Sequence, residues 1–271
     1  MDKLNPLFRA WRFVGTALSF LIFGIGGLII PIILPLIYLL PGNDQCRRKR
    51  GRTLIHHAFR TYIRIMKGLG VLTYEIEQIE NLNGAKLILA NHPCLIDVVF
   101  LLALIPNSSC VVKGRLLKNP FTRGPVKAAG YILNEEGEDV IGAASRLFEE
   151  GQSLIIFPEG TRTTPGKDLD FKRGAAQIAL RTGADITPVI ITCTPTTLTK
   201  QDRWYHVPKK RVHLHLRVNE TLPVSPYINS QAAAPIQARR LTSDLQGYFT
   251  KELSRHEQPE YRIETTHYRL S

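Results

Sequence analysis

Residues 13 to 40, FVGTALSFLIFGIGGLIIPIILPLIYLL, are 28 consecutive positions without a charged side chain. No other feature restricts the fold of the chain as much. In water a helix this apolar must be covered on every side, whereas in lipid it need not be. A secretory signal has a shorter apolar core and a small-residue cleavage site, and this stretch has neither. As one straight helix it would run about 42 Å, at about 1.5 Å per residue, against a hydrocarbon layer of about 30 Å. Pro31, Pro35 and the Gly24, Gly26, Gly27 cluster supply kink points. The stretch therefore predicts a membrane anchor, either one tilted span or a hairpin of two short helices dipping into one leaflet.

Charge decides orientation and partner. Lys3, Arg9 and Arg12 precede the apolar stretch, and the denser cluster Arg47, Arg48, Lys49, Arg50 and Arg52 follows it. The positive-inside rule then puts residues 44 onward on the cytoplasmic face of the inner (plasma) membrane. The expected division is an anchor over 1–43 and one domain over 44–271. A net charge of +12 calls for an anionic partner: nucleic acid, anionic lipid or a phosphorylated substrate. Because the cations gather beside the apolar anchor and phosphate-type loops, membrane lipids are expected and nucleic acid is not. Cys46, Cys94, Cys110 and Cys193 lie at least sixteen residues apart, which excludes a CxxC pair and fits a reducing setting.

Beyond the anchor, residues 51–70 carry apolar side chains at helical spacing with basic ones between them. Such a helix suits either anionic headgroups or the surface of the globule, with His56 and His57 solvated or packed. Strand-like runs then alternate with helical ones. VLTYEIEQI, KLILA, SSCVVKG, AAGYIL, SLIIF and ITPVIIT read as strands or strand ends. CLIDVVFLLALI, the run ended by Gly151 and the run ended by Gly183 read as helices. This alternation indicates an α/β fold, a mixed, mainly parallel sheet flanked by helices. VHLHLRV at 212–218 suits a late edge strand. Its HxH pair has no further ligand near it in sequence, so no metal site is expected. Residues 235–254 read as a helix, and the last seventeen residues are polar.

Two strand ends carry the chemistry. In LILANHPCLID, residues 87–97, a buried strand breaks at Asn91-His92-Pro93 and Asp97 follows one turn later. Asn91 or His92 can cap the next helix, with Pro93 at its first position. His92 then sits at the carboxyl end of a strand, where α/β folds place their sites. Its ring can fold back over the first turn to meet Asp97. That carboxylate would fix the tautomer of the imidazole and support its charged form, making His92 a general base that needs no nucleophile. Cys94 reads as an inert thiol packed inside the helix. In SLIIFPEGTR, residues 153–162, Pro158 and Gly160 shape a turn with free amides, and Glu159 and Arg162 point charge into it. A guanidinium beside free amides holds phosphate. Lys172 and Arg173, just before a helix near Gly174, make a second anion cradle.

NHPCLID followed sixty residues later by FPEGTR resembles the paired NHxxxxD and FPEGTR blocks of the lysophospholipid acyltransferase family, typified by the 1-acyl-glycerol-3-phosphate acyltransferases. FKRGA, VVKGRLLKNPFTRGPVKAAGYIL and ITPVII resemble further blocks of that family, so the likeness covers about residues 86–192. It implies a glycerolphosphate acyltransferase-like fold and a mechanism in which His92, oriented by Asp97, takes the proton from an acceptor hydroxyl. The oxygen attacks an acyl thioester of acyl-carrier protein or coenzyme A, and no acyl-enzyme forms. Substrate contacts are implied for Glu159, Gly160, Thr161 and Arg162, for Lys113, and for Lys172 and Arg173. No cofactor is implied beyond the acyl carrier, and no metal.

One departure stands out. The family's glycerol-phosphate enzymes carry an arginine shortly after the glycine of the intervening block. Here Gly130 is followed by Tyr-Ile-Leu-Asn-Glu-Glu, with no basic residue before Arg146. Glu135 and Glu136 would repel a phosphate if they faced the site. The expected acceptor is a lysophospholipid such as 1-acylglycerol 3-phosphate. The alternatives are an aminolipid, a specialised lipid such as an aryl-polyene conjugate, or a non-catalytic lipid-binding protein on the same scaffold.

Overall fold

The computed structural model describes residues 6–134 and 139–256. Glu135 and Glu136, on which one expectation rested, lie outside the described residues, as does most of the polar tail. The strands are β1 (Leu72–Glu77), β2 (Leu87–Ala90), β3 (Ser108–Val112), β4 (Ile132–Leu133), β5 (Ser153–Ile156), β6 (Ile186–Thr194) and β7 (Val212–Val218). They form one sheet in the order β1-β7-β6-β2-β5-β3-β4. Neighbours are parallel except β6 and β7, so the sheet is mixed and mainly parallel. The helices are α1 (Pro6–Tyr38), α2 (Asp44–Gly68), α3 (Asp97–Leu104), α4 (Arg115–Lys118), α5 (Pro120–Ala129), α6 (Val140–Glu149), α7 (Gly174–Thr182), α8 (Ser225–Ile228) and α9 (Ala234–His256).

Strand alternation divides the core. Ile88 of β2 faces one cluster, with Ile63 and Met66 of α2 and Phe100 and Leu101 of α3. Leu87 and Leu89 face the other, with Leu147 of α6, Ile178 of α7 and Phe249 of α9. All three β2 side chains are fully buried. Each such residue contributes about 1.5–3 kcal/mol on folding. The strand that carries the histidine motif is therefore held firmly from both faces.

Two sequence expectations change. β7 is not an edge strand. It lies between β1 and β6, and the edge on that side is β1. Its alternation of apolar and polar residues arises because only one of its faces is covered by the core. The helix read over 51–70 begins earlier, at Asp44, where the Asn43 side chain accepts a hydrogen bond from the Cys46 amide. α2 buries Ile55, His56, Ile63 and Met66 in the globule, and His56 Nδ1 lies 3.0 Å from the Leu102 carbonyl.

α1 is a single helix through Pro31 and Pro35. Among the described residues it is the one helix long and apolar enough to cross a membrane, over Leu7–Ile37. One side of it, including Leu7, Trp11, Val14, Leu18, Leu21, Ile25, Ile32 and Leu36, is exposed. The other side docks on the globule. A Cβ on Gly27 would lie 2.1 Å from the Phe121 carbonyl oxygen of α5, and one on Gly124 would lie 2.3 Å from Pro31 Cγ. Glycine at both positions lets the two backbones meet. We expect Gly27→Val to push α1 off α5 and to destabilise the protein by about 1–3 kcal/mol, the usual cost of overpacking. Thermal melting in detergent measures it; an unchanged midpoint would contradict the close contact.

Candidate active site

β2 and β5 are adjacent and parallel, with Leu89 opposite Ile156. Their carboxyl ends therefore coincide, and the two motifs that follow them meet although some sixty residues separate them in sequence. β3, on the far side of β5, brings Lys113 to the same end of the sheet.

The His92 ring turns back toward the start of α3, with Nδ1 3.0 Å from Asp97 Oδ2. The same oxygen accepts a 2.7 Å hydrogen bond from the Cys94 amide. Asp97 is fully buried and Oδ1 has no hydrogen-bond partner. Burial pushes its carboxyl above the ordinary range, and the bonds from His92 and Cys94 oppose that. With Nδ1 occupied by Asp97, Nε2 is the ring nitrogen left for a substrate. Phe157, the first residue after β5, stacks on the imidazole with ring centroids 4.2 Å apart.

The local path differs from the sequence reading in two respects. α3 begins at Asp97, so Pro93 and Cys94 lie in the preceding turn instead of inside the helix. Asn91 is not a cap. Its side chain pairs with β6, accepting from the Ile191 amide at 2.8 Å and donating to the Ile191 carbonyl at 2.7 Å. That pair of hydrogen bonds fixes the end of β2 just before His92. Cys94 is buried, and its thiol is pushed far up by a hydrogen bond to Cys193 and by burial, which makes it a poor nucleophile.

The FPEGTR turn holds His92 from behind. Glu159 Oε1 accepts from the His92 amide at 3.1 Å and from Thr163 Oγ1 at 2.6 Å. The Thr163 amide donates to the His92 carbonyl at 2.7 Å. Glu159 is buried, which raises its carboxyl, while the bonds from Thr163 and His92 lower it. Arg162 donates from Nη1 to the Leu198 and Thr199 carbonyls at 2.7 and 2.8 Å, tying the turn to the segment after β6. Gly160 takes φ +64, the left-handed region that glycine adopts without strain. Thr163 and Phe157 were not singled out from the sequence, because neither role is visible until the turn is folded against β2.

A cavity of 1570 Å³ opens at His92. Gly160, Thr161, Arg162, Lys113 and Lys172 line it. Asp97 and Glu159 stand behind its wall, and Arg173 does not reach it. Lys172 also pairs with Asp170, both of them exposed. The lining is mixed: Arg115, Lys200 and Lys210 add positive charge, and Phe20, Phe23 and Leu28 of α1 with Val99 of α3 add apolar surface. Such a site can activate a hydroxyl at His92 Nε2 beside cations suited to phosphate and apolar surface suited to an acyl chain.

Thr163→Val removes both contacts of Oγ1 while preserving volume. We expect about a 10–100-fold loss in turnover with little change in donor KM, because a displaced base is costly even when binding survives. Steady-state kinetics checks it; a loss confined to KM would mean that Thr163 touches substrate instead.

Residues 72–192 match the family model described as Acyltransferase. Over 116 residues the chain is 38% identical to a 1-acyl-sn-glycerol-3-phosphate acyltransferase of Helicobacter pylori strain J99, covering 40% of this chain and 48% of that protein. It is 27% identical over 173 residues to a protein of the same description from Borreliella burgdorferi, covering 62% of this chain and 65% of the relative. The chain thus spans between about half and two thirds of these relatives' length. The crystal structure of the 1-acyl-sn-glycerophosphate acyltransferase PlsC from Thermotoga maritima superposes with a TM-score of 0.64 at 19% identity, over 93% of this chain and 98% of that one. That likeness is one of fold.

Proposed function

We propose that the chain, whose residues 72–192 match the Acyltransferase family model, is a lysophospholipid acyltransferase that moves a fatty acyl group from an acyl thioester to the hydroxyl of 1-acylglycerol 3-phosphate. The observation that carries this reading is the His92–Asp97 pair, with His92 lining a cavity whose wall carries both cations and apolar side chains. Nε2 takes the proton of the acceptor hydroxyl. Asp97 holds the ring and balances the charge that forms on it. The acceptor oxygen attacks the thioester carbonyl, and the collapsing intermediate expels the carrier thiolate, which takes the proton back from His92. No acyl-enzyme is required, in keeping with the buried and unreactive Cys94.

Glu159 and Thr163 position His92, and Arg162 braces the wall through the Leu198 and Thr199 carbonyls. The acceptor phosphate falls to Lys113, Arg115 and Lys172, which compensate for the arginine missing after Gly130. The acyl chain lies along the apolar lining from α1. The exposed apolar side of α1 meets lipid, and the basic start of α2 supports a cytoplasmic position for the catalytic domain. Acyl-carrier protein or coenzyme A brings the acyl group.

The experiment is transfer of radiolabelled acyl chains from each carrier into a panel of lysolipids by the purified full chain. Conversion of lysophosphatidic acid to phosphatidic acid supports the reading. Exclusive acylation of another lipid would move the assignment to that acceptor.

A further inference from the structure

The parallel pairing of β1 and β7 joins residues 140 positions apart in sequence, and it brings carboxylates to the HxH pair. Glu75 stands opposite His215 in register, and Thr73 stands opposite His213. On one face of the two strands the ligand atoms of Glu75, Glu77 and His215 all lie within 4.8 Å of one another. His215 Nε2 is 2.5 Å from Glu77 Oε1, and His213 Nε2 is 3.9 Å from Glu75 Oε2. None of the four lines the cavity at His92.

We propose that this face binds one divalent transition-metal ion of the zinc class, with Glu75, Glu77 and His215 as ligands and His213 completing the set. Two imidazoles with two carboxylates suit zinc, cobalt or manganese better than the all-oxygen sets that calcium and magnesium prefer. Metal–ligand bonds of about 2.0–2.2 Å in a tetrahedron put ligand atoms about 3.3–3.6 Å apart. Small side-chain rotations take the present spacings there. On binding, the ion replaces the proton shared by His215 Nε2 and Glu77 Oε1.

Among the described residues, Arg217 Nε lies 3.6 Å from Glu77 Oε2. Arg217 approaches Oε2 while His215 uses Oε1, so a metal on Oε1 leaves the arginine contact in place. Thr73 Oγ1 lies 2.9 Å from His213 Nδ1 and 3.5 Å from the Val212 carbonyl. A threonine that accepts from Nδ1–H and leans on that carbonyl leaves the Nε2 lone pair directed at the site, the usual outer arrangement of a metal-bound histidine. Glu77 and His215 are 8% and 14% exposed and His213 is 40% exposed, which gives a sheltered floor with an open entrance. The ion would clip the edge strand β1 to β7, a structural role separate from acyl transfer.

The test uses the full chain, tag-free, in detergent, stripped with chelator and titrated with Co²⁺ alone. We expect one Co²⁺ per chain with visible d–d absorption, displacement by Zn²⁺, and a higher melting temperature in the loaded protein. Glu75→Gln, isosteric and partly exposed, should retain the apo fold and lose about tenfold or more in Co²⁺ affinity. His215→Asn should lose at least as much, and His57→Ala, at an exposed position of α2, should lose nothing. Failure of the wild type to take up one equivalent overturns the site, as does unchanged affinity in Glu75→Gln. Acyl transfer is read separately, so neither result bears on the proposed activity.

Discussion

His92→Ala lowers acyl transfer by about 10²–10⁴-fold, the range general-base catalysis supplies, and leaves donor and acceptor binding nearly intact. His92 lines the cavity, and its backbone is held by Glu159 and Thr163 independently of the side chain. Truncation to alanine thus removes the base without loosening the turn. The residual rate comes from substrate alignment alone. The effect should appear in turnover, with KM within a few-fold of wild type. A variant that loses KM and keeps turnover would make His92 a binding residue.

Asp97→Asn is expected to be nearly as inactive while remaining folded. The asparagine oxygen can take the place of Oδ2 and accept from both the Cys94 amide and His92 Nδ1. A neutral carboxamide, however, cannot balance the charge that forms on the imidazole as it takes the acceptor proton, so the base is lost through charge and not through position. Stability should move the other way. Burial raises the Asp97 carboxyl above its unfolded value. A carboxyl raised on folding favours the protonated native state, so its stabilising effect is present at low pH and is lost as pH rises through the folded value. At neutral pH the buried charge is therefore a cost, and asparagine removes it. Asp97→Asn should melt no lower than wild type at neutral pH, with the advantage shrinking on acidification. A lower melting temperature at neutral pH would mean that the carboxylate stabilises the fold. The same reasoning sets the acid limb of the wild-type pH profile. Activity requires ionised Asp97 and neutral Nε2, so it falls as pH drops, above the ordinary carboxylate range.

The architecture was legible because the signals were local. The alternation of apolar runs predicted a mainly parallel sheet, and Gly151 and Gly183 marked helix ends. The contact between His92 and Asp97 was legible because a strand that stops at a histidine leaves few places for its ring. What the sequence did not show was long-range. Phe157 and Thr163 act on His92 only because β2 and β5 are neighbours. Asn91 reads as a cap until β6 is seen one strand away. VHLHLRV reads as an edge strand because its alternation reflects one covered face, and nothing in its own residues reveals that β1 pairs beyond it. The carboxylates opposite its histidines were hidden for the same reason. Glu159 and Arg162 read as substrate-facing from their charge, yet the oxygen and nitrogen that the structure shows engaged are turned toward the protein.

The central claim is that His92, held by Asp97, takes the proton of a lysophosphatidic acid hydroxyl as that oxygen attacks an acyl thioester. The most direct measurement is phosphatidic acid formation from lysophosphatidic acid and an acyl thioester, by wild type and Asp97→Asn side by side at equal folded concentration. The account predicts product with the wild type, a loss of about 10²–10⁴-fold in the variant, and no loss of thermal stability at neutral pH. An Asp97→Asn protein as active as wild type would contradict it.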